Sequence, residues 1–172
     1  MSFSFIDFII YLLVYIIFTP MLTLLHELGH AVPALIFTKE EVIVNIGNSN
    51  LNKKIKLSRL IIKLNGYKSL VDVSYGYINW TPLDSNKIKA IIIILGGPLT
   101  SLIVSILLYI YLINVSLPHI LIILLNALFY FSLFQFLLTI LPMKYFYKPY
   151  LGCTSDGYKI LQHLKNKGIQ NK

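Results

Sequence analysis

Three stretches of the chain carry no Asp, Glu, Lys or Arg: Phe8–Leu25, Ala90–Ile113 and Ile120–Met143. At 1.5 Å per helical residue, each is long enough to cross most or all of a hydrocarbon core about 30 Å thick. The first belongs to a longer run, residues 3–37, that no turn cluster interrupts. As one helix this run would be roughly 50 Å long. It must tilt, project or bend, and Pro20 and Pro33 are the expected places for a bend. A hairpin turning at "FTPML" is the alternative, although it offers no good turn residues. The second and third helices are expected over residues 90–113 and 120–141.

Residues 38–89 follow another pattern. "VIVNIG" (Val42–Gly47), "LIIKLNG" (Leu60–Gly66) and "VDVSYGYINW" (Val71–Trp80) are short β-branched or aromatic runs. They are separated by "NSNLNKK" and "YKS", which read as turns. Two to four short strands are expected, with Tyr75, Tyr77 and Trp80 suited to the membrane–water interface. Residues 142–172 read as a loop and a short tail, in which "SDGYKILQHLKNK" has an N-cap candidate and then an amphipathic pattern. The expected fold is mainly α, a polytopic membrane protein forming one domain over residues 1–172. Three core transmembrane helices carry a β-rich insertion at the cytoplasmic face between the first and second.

Composition agrees. The 172 residues are 56% hydrophobic with a mean hydropathy of +0.73, which is too apolar for a soluble domain. The N-terminus lacks the basic region and small-residue cleavage site of a signal peptide. Of the basic residues, nine lie between Lys39 and Lys89, and six lie after Met143. Basic residues mark the cytoplasmic side. With three crossings, the N-terminus and the Asn114–His119 turn are expected outside, and the middle loop and C-terminus in the cytoplasm. The net charge of +8 then reflects topology and contact with anionic lipid. No basic helix or aromatic–basic alternation supports nucleic-acid binding. The single cysteine, Cys153, excludes an internal disulfide. Abundant Ile, Lys, Asn and Tyr point to an AT-rich prokaryotic source and so to a prokaryotic cell membrane.

Within the first apolar run stands "HELGH", His26 to His30. Positions i and i+4 of a helix lie on one face one turn apart, so His26 and His30 can grip one ion. Glu27, about 100° round the helix, is placed to reach a water on that ion rather than to ligate it. This pattern reads as zinc with a general-base glutamate. An unpartnered ionisable group within a bilayer costs at least about 2.5 kcal/mol, whereas a bound ion gives both imidazoles a partner.

A catalytic zinc takes a third protein ligand and leaves its fourth position to water. Asp7 and His119 lie near the outer face, away from the histidine pair. Glu40, Glu41, Asp72, Asp84, Cys153, Asp156 and His163 remain, and spacing alone does not choose among them. Asp156 is also a candidate N-cap for the tail helix. His119 and His163 otherwise read as solvated, and Cys153 as a spectator thiol. Asn126 and Gln135 lie in the third helix, where packing is favoured over substrate binding. Gly97, Ser101 and Ser105 form a small-residue stripe that lets another helix approach closely. Pro98 suits a first turn or a kink.

"HELGH" in an apolar helix, "GGPLTS" opening the next and "LP…TSDG" after the last resemble the site-2 protease family of intramembrane zinc metalloproteases, in a compact form without a PDZ or nucleotide-sensing domain. The resemblance implies Asp156 as third zinc ligand beside His26 and His30, with Glu27 catalytic and one Zn²⁺ per chain. It implies a membrane-embedded protein or peptide substrate, and regulation by a separate protein or none. Two features depart from the family. Ser101 and Thr139 stand where Asn is frequent, and thirteen residues separate Pro142 from Asp156, a longer gap than usual. The strands between Val42 and Trp80 are expected to pair with an extended substrate through a free edge.

Overall fold

The computed structural model describes residues 5–81 and 86–165, without the side chain of Val71. Helix α1 (Phe5–Phe37) leads into β1 (Val42–Gly47), β2 (Lys53–Leu57), β3 (Leu60–Gly66), a 3-10 turn (Leu70–Ser74) and β4 (Gly76–Asn79). Helices α2 (Lys87–Asn114), α3 (His119–Ile140) and α4 (Asp156–Lys165) follow. The chain is thus mainly helical, with a small sheet between α1 and α2.

Helices α1, α2 and α3 are each long and apolar enough to cross a membrane. Their packing inverts that of a water-soluble bundle. α1 turns Thr19, Thr23, His26, Glu27 and His30 inward, while Ile17, Met21, Leu25, Val32 and Ile36 face out. α2 buries Ser101 and Ser105 and exposes Ile103, Ile106 and Leu107. Such a surface suits a lipid solvent, in which polar groups must find their partners inside.

α1 is unbroken through Pro20 and Pro33, so the run is one helix and not a hairpin. α2 starts earlier than the sequence pattern indicates. Asn86 caps it by accepting from the Lys89 amide at 3.2 Å, which leaves "GGPLTS" and Pro98 in the helix interior. The glycines there serve helix contact. A Cβ on Gly29 would stand 2.5 Å from the Gly96 carbonyl oxygen, and one on Gly96 would collide with the Gly29 carbonyl. α1 and α2 therefore cross backbone against backbone.

The sheet runs β2-β3-β1-β4, with β1 and β3 parallel and both outer pairings antiparallel. Two sequence expectations change here. Lys53 and Lys54, read as part of a turn, begin β2, a fully exposed edge strand. Lysine is a poor strand former but common on edges, so composition hides such a strand. Val71–Ser74, read as the start of a strand, falls in a 3-10 turn (Leu70–Ser74) closed by Tyr75 N–H to Asp72 O at 2.9 Å. Only Gly76–Asn79 extends beside β1.

One sheet face, carrying Val42, Val44, Ile46 and Ile62, packs on Ala31 and Ala34 of α1 and Ile93 of α2. Arg59, in the β2–β3 turn, donates to the Thr38 and Leu35 carbonyls at 2.6 and 2.9 Å. It thereby satisfies carbonyls at the end of α1 and ties the sheet to it. These contacts bring β4 alongside the middle of α1. A Cβ on Gly76 would lie 2.7 Å from Thr23 Cγ2 and 3.1 Å from Glu27 Cγ.

Gly29→Val tests the helix crossing. Forcing a branched carbon onto the Gly96 carbonyl should cost about 3 kcal/mol or more, seen as a lower melting temperature in detergent. A melt like that of the unaltered chain would mean that the helices do not meet there.

Candidate metal centre

His26 and His30 project from the inward face of α1, one turn apart, with their rings 4.9 Å apart between centroids. Asp156 reaches them from the first position of α4, and the reason lies in the preceding residue. Ser155 Oγ accepts from the Tyr158 amide at 3.2 Å and the Met143 amide at 3.0 Å, and donates to the Leu141 carbonyl at 2.6 Å. Ser155, not Asp156, is the helix cap. Gly157 lies so close to the Ile140 carbonyl that a Cβ would collide with it. The first turn of α4 is pinned to the end of α3, and the Asp156 carboxylate is free to turn inward.

The three side chains are buried, and their ligand atoms all lie within 4.8 Å of one another. Asp156 Oδ2 is 3.4 Å from His26 Nε2 and 3.3 Å from His30 Nε2. Ligand atoms at about 2.0–2.1 Å around a tetrahedral ion stand roughly 3.3 Å apart, so these separations fit donors shared by one ion. The group could hold a metal ion.

The far sides of both imidazoles are also arranged for ligation. His30 Nδ1 lies 2.8 Å from the Ile93 carbonyl. A carbonyl only accepts, so Nδ1 carries the proton and Nε2 presents its lone pair. The Gly97 amide, 3.2 Å from the same nitrogen, then makes a close approach rather than a second bond. A Cβ on Gly97 would overlap the imidazole, so the glycine makes room for the ring. His26 Nδ1 lies 2.9 Å from Ser101 Oγ, which donates to Gln135 Oε1 at 3.3 Å. With its own proton committed to Gln135, Ser101 accepts from His26, and Nε2 again faces the site. Contacts of this kind fix ring orientation and raise ligand basicity.

Lys159, one turn along α4, donates to Asp156 Oδ1 at 2.9 Å and leaves Oδ2 for the imidazoles. Burial opposes ionisation of Asp156, but the adjoining imidazoles of His26 and His30 and the nearby Lys159 charge outweigh it. The carboxyl is held well below its usual range. Glu27 stands beside this group without joining it, and lines a cavity of about 950 Å³ that also contains the three ligand candidates. Tyr15, Leu22, Phe131 and Phe134 form part of its apolar wall.

None of the other described candidates joins this group. Glu40 accepts from Thr81, and Glu41 pairs with Lys56 at 2.7 Å. Asp72 is held by Asn48 and Ser69, and Asp84 lies outside the described residues. Cys153 is a free, exposed thiol. His163, half-buried on α4, is among the residues lining the cavity. His119 Nε2 stands 3.8 Å from Asp7 Oδ1. Gln135, assigned to packing, supports His26 through Ser101. Sequence reasoning overlooked Lys159, although its spacing from Asp156 puts both on one face of α4. No protein-family profile, curated protein or solved structure matches this chain.

Two substitutions test the centre by competitive chelator titration. Asp156→Ala should abolish stoichiometric metal binding. Ser101→Ala, which strips His26 of its support, should weaken binding about 10- to 100-fold. Unchanged affinity in both would place the metal elsewhere.

Proposed function

We propose that the chain is an intramembrane zinc metalloprotease that hydrolyses peptide bonds of membrane-embedded or membrane-associated substrates. The observation carrying this reading is the convergence of Asp156 on His26 and His30 at metal-ligand spacing, with Glu27 in the same cavity, inside a bundle whose outer surface is apolar. Two imidazoles and one carboxylate form a donor set suited to zinc, with a fourth position left to water. His26, His30 and Asp156 would hold the ion, and the chemistry it would supply there is a water of lowered pKa and polarisation of the scissile carbonyl.

The protein's own groups supply the remaining chemistry. Glu27, one residue from His26, takes the proton released as water attacks and passes it to the leaving nitrogen. Ser101, Gln135 and the Ile93 carbonyl hold the two imidazoles in one tautomer. Lys159 holds Asp156 to a single inward oxygen. The apolar cavity walls keep bulk water from the reacting bond, while the polar end near α4 admits the water consumed.

The proposed topology puts the N-terminus outside the membrane and the sheet and α4 on the cytoplasmic side, where basic side chains are favoured. A helical substrate must unwind before attack, because its peptide groups are bonded to one another. β4 offers a place for the extended segment. It is a sheet edge, and its first residue, Gly76, packs on Glu27.

The test is Glu27→Gln in proteoliposomes with a library of transmembrane reporter peptides, read by mass spectrometry and zinc analysis. Zinc should stay near one per chain while cleavage falls about 10²- to 10⁴-fold. Cleavage undiminished by the substitution would remove Glu27 from the chemistry. Zinc binding without cleavage by the unaltered chain would favour a non-catalytic metal-binding scaffold.

A further inference from the structure

Tyr150 lies in the thirteen-residue segment between Pro142 and Asp156, where local sequence carries no sign of a function. Its hydroxyl donates to the Ser74 carbonyl at 2.7 Å and accepts from the Gly76 amide at 3.2 Å. Both groups belong to the outer side of the β4 edge. β1 takes the other side, because Gly47 N–H bonds Tyr75 O and the register pairs Asn45 with Tyr77. Alternation along an antiparallel pair then points the backbone groups of Ser74, Gly76 and Ile78 away from β1.

An added parallel strand would use the C=O of one residue and the N–H of the residue two further on, both bonded by a single residue of the newcomer. Ser74 O and Gly76 N–H are such a pair, and one phenol oxygen serves both. Tyr150 therefore does with a side chain what a peptide unit would do with its backbone. The ring is held in place by Tyr75 and Tyr145, at centroid distances of 5.0 and 5.3 Å. Tyr145 is anchored in turn through its hydroxyl to the Leu138 carbonyl at 3.1 Å.

We propose that Tyr150 is a place-holder on the β4 edge: it occupies the hydrogen-bonding position of an extended peptide beside Glu27, and the peptide must displace it to dock. The proposal deepens the protease reading, resting on it for the identity of the occupant. It gives the long segment before Asp156 a task, that of carrying a side chain from the end of α3 across to β4. The occupant is an extended peptide with apolar side chains, because Tyr15, Leu22, Phe131 and Phe134 wall the adjoining cavity. Losing the phenol hydroxyl leaves the Gly76 amide without its partner in the empty site and so favours a peptide that can bond it.

The experiment measures binding rather than hydrolysis, and so separates failure of this proposal from failure of the protease reading. A Thr-Val-Ile-Val-Thr amide carrying fluorescein on its N-terminus is titrated by anisotropy against detergent-purified Glu27→Gln chain, with and without further substitutions. Tyr150→Phe should bind the peptide about five- to tenfold more tightly, whereas Tyr147→Phe should match the parent. Peptide added to the chain with Tyr150 intact should speed amide hydrogen exchange across residues 145–153 as the segment lifts. Equal or weaker binding by Tyr150→Phe, absence of binding by every variant, or unchanged exchange would overturn the proposal.

Discussion

Histidine and glutamate side chains on the inward face of an apolar helix must have partners, because nothing in an apolar interior replaces the water they lose. An unpartnered charge there costs at least about 2.5 kcal/mol, a large part of a typical domain's net stability of about 5–15 kcal/mol. Much of the fold answers this requirement. α2 brings Ser101 and the Ile93 carbonyl to the backs of the two imidazoles, and α4 brings Asp156 to their fronts. α3 contributes Gln135 to hold Ser101, and its end anchors Ser155.

Meeting that requirement sets how closely the helices approach. Imidazole nitrogens reach α2 side chains and carbonyls at under 3 Å only because Gly29 and Gly96 let the two backbones touch and Gly97 makes room for the His30 ring. The sheet obeys a similar constraint. Arg59 ties it to the end of α1, and Gly76 then lies against Thr23 and Glu27 with no space for a side chain. Rigid elements therefore surround the candidate ligands. The segment between α3 and α4 meets the sheet edge through Tyr150, whose hydroxyl bonds Ser74 and Gly76 and whose ring packs on Tyr75.

Features encoded over a few residues were legible in the sequence. The His26–His30 spacing, the three apolar runs and the small-residue stripe from Gly97 to Ser105 each follow from helical periodicity. Asp156 was different. It lies far along the chain from His30, and local signals allowed it to be a ligand or a helix cap. The structure gives the cap to Ser155, a distinction that depends on how the chain turns after Pro142. β2 escaped detection because lysines on an exposed edge resemble a turn in composition. The Ser101–Gln135 contact and the reach of Tyr150 to β4 join distant residues and leave no periodic trace. In place of the Asn frequent at one position in the resembled family, Ser101 holds His26 and is held by Gln135. Thr139 instead bonds carbonyls of its own helix at 2.8 and 3.2 Å.

The most direct measurement is X-ray absorption at the zinc edge of the zinc-loaded chain in detergent, which reads the ligand atoms around the ion. The account predicts two imidazole nitrogens with oxygen donors, all at about 2.0–2.1 Å, and no sulfur. A sulfur neighbour near about 2.3 Å, which would bring Cys153 to the ion, or fewer than two imidazoles would contradict it.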